Sequence, residues 1–209
     1  MLIDWPKLLA ALVLLLVPVA LFHGKRVVYR DVSRDWVGFW PRTFGLDLHY
    51  ADLFRAVLGA WLISEALTRA PEVAGAMKYS SYAAQTAVFA LALTLQTMIC
   101  KEEDSAHAPF AFVSGLALGF VPPFIAGPAL LLAILITFGT KVASIYFPVL
   151  AAAVSALGFP FTGKKHIFAL LIVTITAGLP WLLTLLFPRH FVASLRAKPK
   201  IGEPEPPQR

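Results

Sequence analysis

Only 14% of the 209 residues are charged, roughly half the share of an ordinary soluble domain, and this excludes a water-exposed surface of normal composition. A single cysteine, Cys100, excludes an internal disulfide and gives no compartment signal. The chain has no Gly-x-Ser-x-Gly and no His-Glu-x-x-His, so the nucleophile elbow and the helical zinc-protease signature are both missing. Ser80, Ser81, Ser114 and Ser144 have no obvious base nearby in sequence. None of the five histidines (His23, His49, His107, His166 and His190) falls in the middle of an apolar run, where a haem or pigment ligand is wanted. No cofactor is expected. Haem or pigment ligation stays open only at His49 or His166.

What the chain does have is apolar sequence. Hydrophobic residues make up 58% of it, and mean hydropathy is +0.74. Residues 108–187 are almost continuously apolar, and 8–22 and 79–99 match them. Runs near 20 residues make the bilayer the folding solvent. The predicted fold is all-α, a polytopic transmembrane helix bundle of about six to seven membrane segments. They are 8–22, 50–68, 79–99, a broken pair at 108–121 and 124–138, 142–160 and 166–187. The break is Pro122-Pro123, because two adjacent prolines remove two backbone donors and disfavour helical geometry before them. The pair at 108–138 is therefore two short spans or a re-entrant hairpin. The first run follows Asp4 and a single Lys7 and ends without a small-x-small site, so it reads as a retained span rather than a signal peptide.

Orientation follows from the basic residues. With a broken pair and loop 23–49 inside, twelve Lys and Arg residues fall inside and five outside; with one long span the counts are eight and nine. The positive-inside rule favours the first, with the amino terminus outside and the carboxy terminus in the cytoplasm of a bacterial inner membrane. Residues 1–188 form the bundle, and 189–209 form a basic, Pro-rich tail. Residues 197–209 hold four prolines and no apolar periodicity, so this stretch cannot offset its own ordering entropy without an external surface. Loop 27–46 sets Val28, Val32, Trp36 and Phe39 at helical spacing, with Arg30, Asp31, Arg34 and Asp35 on the other face. It reads first as an ordinary amphipathic connector, with docking to lipid or a partner at the interface as the alternative. Arg30, Arg34, Trp36, Phe39, Trp40 and Arg42 are its candidate lipid or partner contacts. Trp5, Trp61 and Trp181 fall near span ends, as belt aromatics do.

Polar groups inside the runs are few. Asp52 and Arg55 share a helix face three residues apart, with Arg55 expected to snorkel to the interface. Glu65 precedes Arg69 by four residues and is expected to pair with it. Cys100, Glu102, Glu103, Asp104 and His107 carry metal-ligand side chains, but their spacing fits no closed zinc pattern and reads as a solvated acidic loop. Gln85, Thr86, Thr94, Gln96 and Thr97 read as interhelical hydrogen-bond glue, and Gly115, Gly119 and Gly127 as close-packing positions.

Three short stretches carry a resemblance. Asp52-Leu53-Phe54-Arg55-Ala56 resembles an Asp-x-x-Lys-Gly motif, and Thr140-Lys141-Val142-Ala143-Ser144 resembles Thr-Arg-Tyr-Val-Ser. Pro188-Arg189-His190-Phe191 resembles an Arg-His pair closing a last span. In order and spacing the chain is similar to the bacterial integral-membrane glycerol-3-phosphate acyltransferases that use acyl-phosphate donors. That resemblance implies seven spans, an outside amino terminus and a cytoplasmic active site. Two family motifs are replaced. Where the family has a Gly-Ser-Gly-Asn-x-Gly-x-Thr-Asn phosphate loop, residues 32–44 read VSRDWVGFWPRTF; where it has Gly-Gly-Lys-Gly-x-x-x-Thr, residues 106–113 read AHAPFAFV. Without those glycines backbone amides cannot crowd round a phosphate.

The favoured reading is a non-catalytic polytopic protein, an accessory or structural subunit of a larger membrane assembly. Its expected partners are membrane lipids and other membrane subunits, with no nucleic acid. The alternatives are a membrane acyltransferase on glycerol 3-phosphate or related lipid precursors, resting on the resemblance, and a small transporter or channel, resting on the proline-broken pair.

Overall fold

The computed structural model describes residues 3–18, 27–31, 46–68, 76–98, 105–162, 167–187 and 189–196. These residues hold seven α-helices: α1 (Trp5–Leu16), α2 (Asp47–Thr68), α3 (Ala76–Met98), α4 (Phe110–Phe120), α5 (Pro123–Thr140), α6 (Tyr146–Thr162) and α7 (Ile167–Leu186). Three segments, Pro123–Thr140, Ala143–Thr162 and Ile167–Leu186, are long and apolar enough to cross a membrane.

Local chemistry sets the helix ends. Asp4 caps α1 by accepting from the Lys7 backbone N–H at 3.4 Å and pairing with Lys7 Nζ at 3.0 Å, and a proline fills the first turn. Its missing N–H would have had no intrahelical acceptor there. Between α4 and α5 the chain is extended at Val121 and Pro122, and Pro123 opens the new helix. The predicted break at Pro122-Pro123 is thus present. Helix α5 ends at Lys141, the only described non-glycine residue with positive φ (58°).

Helix α5 is apolar on both faces but sorted by size. Apart from Ile125 its buried positions are small, Ala126, Ala129, Ala133 and Thr137, whereas Phe124, Leu131, Leu135 and Phe138 point outwards. Small side chains inside and large apolar ones outside is the arrangement of a helix packed in lipid, where close backbone approach replaces hydrophobic burial. The same logic joins α4 to α2. A Cβ built on Gly115 would stand 2.5 Å from the Leu53 carbonyl oxygen, and one on Gly119 2.5 Å from the Val57 carbonyl oxygen. Ala56 and Ala60 are the small residues opposite, so small-xxx-small motifs meet face to face. Gly127, expected to do likewise, faces open space: it lies off the packed face of α5.

The helical expectation is incomplete in one respect. A three-stranded sheet joins β1 (Val27–Asp31), β2 (Ser105–His107) and β3 (His190–Arg196), with β3 in the centre. Strand β1 runs antiparallel to β3, with Val27 opposite Arg196 and Asp31 opposite Val192; β2 runs parallel, with Ser105 opposite His190. Residues 27–31 are therefore strand, not the start of an amphipathic helix. Val-Val-Tyr suits a pleated surface, and β3 supplies the ladder partners that a lone helix turn would lack. Residues 190–196 likewise belong to the fold rather than to a tail. Residues 32–45 and 197–209 lie outside the described residues.

The sheet gathers distant segments of the chain at one end of the bundle. It ties together the segments that follow α1, α3 and α7. Tyr146, at the start of α6, stands edge-on to Phe110 at the start of α4, with ring centroids 5.3 Å apart. Phe147 stacks on Phe110 at 5.2 Å and meets Phe191 of β3 at 5.3 Å. After the proline break the chain therefore returns to the end it left, as the broken pair requires and a single long helix forbids.

Candidate functional site

Two features at the sheet end of the bundle gather polar chemistry. The first is Asp52 and Arg55 on α2, which pair as expected: Arg55 Nε donates to Asp52 Oδ1 at 2.6 Å. Their destination is different. Arg55 does not snorkel outwards; it is 9% exposed and Asp52 is 5% exposed. Its Nη1 donates to the Leu14 carbonyl at 2.8 Å and to the Val17 carbonyl, and its guanidinium lies 4.8 Å from the centre of the Phe112 ring. The last carbonyls of a helix have no intrahelical partner. Here an arginine from α2 satisfies two of them, and Asp52 balances the charge. Nη2 meets no acceptor among the described residues. This pair closes the end of α1.

The second feature is a cavity of about 290 Å³ between the α5–α6 connection, the last turns of α7 and the start of β3. Lys141, Ser144, Thr184, Arg189 and His190 supply its polar lining, with Val142, Trp181, Leu185 and Phe191 beside them. The left-handed turn at Lys141 lets α5 stop and the chain double back into the 3₁₀ turn Ala143–Ile145, which sets Ser144 and Lys141 on one wall. Arg189 stands at the head of β3 and contacts Met98 Sδ at 3.6 Å, a weak acceptor. Lys141 and Arg189 have no carboxylate partner among the described residues. Two of the three stretches that carry the acyltransferase resemblance thus line one cavity, while the third, around Asp52, is turned into the core.

A separate apolar cavity of about 250 Å³ lies in the wedge between α4 and α5. Phe110, Leu118, Leu130 and Ile134 line it, with His49 and Tyr50 from α2. Two of its hydroxyls, those of Ser114 and Tyr146, are bonded to each other at 2.6 Å. It can receive an alkyl chain but offers little to react with one.

The remaining predicted residues divide as follows. Arg30 lies on β1, while Arg34, Trp36, Phe39, Trp40, Arg42, Arg69 and His166 lie outside the described residues, as do Cys100, Glu102, Glu103 and Asp104. Glu65 sits near the far end of α2. Among the described residues no three His, Cys, Asp or Glu side chains gather as a metal site. The expected glue is corrected in part. Thr86 and Thr94 donate to Tyr82 and Ala90 carbonyls of their own helix. Gln85 is fully buried with neither amide atom bonded among the described residues. Besides Arg55, the described polar bonds between helices include Ser81 to the Leu67 carbonyl at 3.1 Å, Ser114 with Tyr146, and Ser155 with Thr174 at 2.8 Å. Sequence cannot locate such pairs, because a hydroxyl reads the same whether it back-bonds or crosses.

No protein-family model, curated protein or solved structure matches the chain.

Proposed function

We propose that the chain is a polytopic membrane protein of six to seven segments that acts as a non-catalytic accessory subunit of a larger membrane assembly. In this reading it sits in a bacterial inner membrane with its amino terminus outside and the sheet end in the cytoplasm. One observation carries the partner surface: β1, which begins the aromatic and basic loop, is hydrogen-bonded along its length to β3, which leads into the Pro-rich tail. Antiparallel pairing sets Asp31 opposite Val192 and Val27 opposite Arg196, so the candidate contact loop and the Pro-rich tail leave the same strand pair at its opposite ends. The buried Asp52–Arg55 pair agrees with a structural protein, since an intramembrane charge that invites a functional reading is here engaged in closing α1. The test is native mass spectrometry after mild detergent extraction, with truncation after Arg196 (which leaves β3 whole) combined with Trp36→Ala and Trp40→Ala. Stoichiometric partners should accompany the wild type and be lost from the variant while it stays inserted. Undiminished co-purification moves the contact to the lipid-facing helices.

A second reading, an acyltransferase-like enzyme, is favoured by one observation: the stretches at 140–144 and 188–191 share a cavity. The missing glycine-rich loops weigh against it. Purified protein given acyl-phosphate and glycerol 3-phosphate should form no lysophosphatidate. Formation that is abolished by Lys141→Ala reverses the order of the two readings.

A further inference from the structure

We infer that the cavity bounded by Lys141, Ser144, Thr184 and Arg189 holds the phosphate headgroup of an anionic phospholipid. The inference rests on the membrane reading and on nothing said of partners. Local electrostatics favour an anion even after the helix ends are counted. Helices α5 and α7 direct their C-termini to this region and α6 its N-terminus. At about half a charge per helix end, these sum to about half a negative charge. Lys141 and Arg189 carry two full positive charges and lack carboxylate partners among the described residues, so the balance stays near +1.5. The hydroxyls of Ser144 and Thr184 add donors at the wall. A guanidinium whose described bond is to a thioether at 3.6 Å is free to take a phosphate oxygen pair in its fork.

The rim decides between a lipid and a soluble anion. Val142, Leu185 and Trp181 border the same cavity, and Val142 and Leu185 are themselves exposed. They continue into the exposed apolar side chains Phe138 and Leu182. A soluble phosphate would leave this rim uncovered. A phospholipid would place its glycerol and first methylenes on it. Basic recesses between helices at the cytoplasmic boundary are a recurring form of anionic headgroup site.

The test is thermal unfolding of the purified full chain in neutral detergent, with phosphatidylglycerol, phosphatidylcholine or inorganic phosphate added at equal phosphate concentration. Phosphatidylglycerol should raise the midpoint by several degrees, and the other two should not. The double variant Lys141→Gln, Arg189→Gln should bind phosphatidylglycerol about thirtyfold more weakly. Lys7→Gln, at the opposite end, should bind as the wild type does. Native mass spectrometry of the unaltered protein provides the arm that needs no variant, and should retain one phosphatidylglycerol per chain in preference to phosphatidylcholine. Equal shifts from both lipids, an undiminished shift in the double variant, or a full shift from inorganic phosphate overturns the headgroup site. Failure of the chain to partition into vesicles at all overturns the membrane reading instead.

Discussion

Two basic clusters stand at the same end of this bundle and do opposite things. Arg55 is buried, ion-paired at 2.6 Å and bonded to the carbonyls of α1. Lys141 and Arg189 border an open cavity and meet no carboxylate among the described residues. The difference is one of solvation. A charge that has left water needs all its partners within the fold, because desolvation is otherwise uncompensated. A charge at the boundary can leave its partner to be supplied from outside. The first kind fixes architecture; the second is free to recognise something.

The comparison predicts that the largest loss comes from the buried cluster. Arg55→Met removes the ion pair to Asp52 and the donor to the Leu14 and Val17 carbonyls, at a cost of about 3–5 kcal/mol. The double variant Asp52→Leu, Arg55→Met removes the buried carboxylate as well and should regain part of that loss. Denaturant unfolding in detergent measures both. A double variant no better than Arg55→Met alone would mean that the carbonyls of α1, not the charge, dominate the site.

Packing sets the next rank. Gly115→Ala drives a methyl group to 2.5 Å from the Leu53 oxygen, and backbone cannot yield as a side chain tip can. The expected cost is about 1–3 kcal/mol. Gly127→Ala meets nothing within 4 Å and should be neutral or gain up to about 1 kcal/mol in helix propensity. If the two variants unfold alike, α4 does not press on α2 as described.

Most of the helical fold is legible in the sequence, and for a physical reason. An apolar run of membrane length has few alternatives to helix, since every backbone group must bond internally. The Pro122-Pro123 break is legible because proline acts locally. The sheet is not, since a seven-residue strand such as His190–Arg196 becomes one only when β1 and β2 arrive from residues far away in sequence. The spacing of Val28, Val32, Trp36 and Phe39 imitates a helix face while Val27–Asp31 pairs as a strand. At the site, the Asp52–Arg55 pair is visible at i, i+3, but its acceptors are backbone carbonyls of Leu14 and Val17, which no side-chain pattern reveals. The convergence of Lys141 with Arg189 depends on how α7 returns to the sheet.

The smallest effect is the most discriminating. Lys141 holds φ at 58°, a left-handed conformation that costs a residue with a Cβ about 1 kcal/mol and glycine almost nothing. Glycine is also the usual residue where a helix ends in this geometry. Lys141→Gly should therefore raise stability in lipid-free detergent by up to about 1 kcal/mol, the opposite sign to Arg55→Met. The same variant removes one cation from the cavity, so its affinity for phosphatidylglycerol should fall about fivefold. A lysine kept in a strained position that glycine would fill more comfortably is one held for its charge rather than for the fold. Unfolding without lipid, followed by titration with phosphatidylglycerol, separates the two effects in one preparation. Loss of stability without lipid would make Lys141 a structural cap like Arg55 and erase the contrast between the clusters. Gain of stability together with loss of lipid affinity would make the strain at Lys141 a cost of binding.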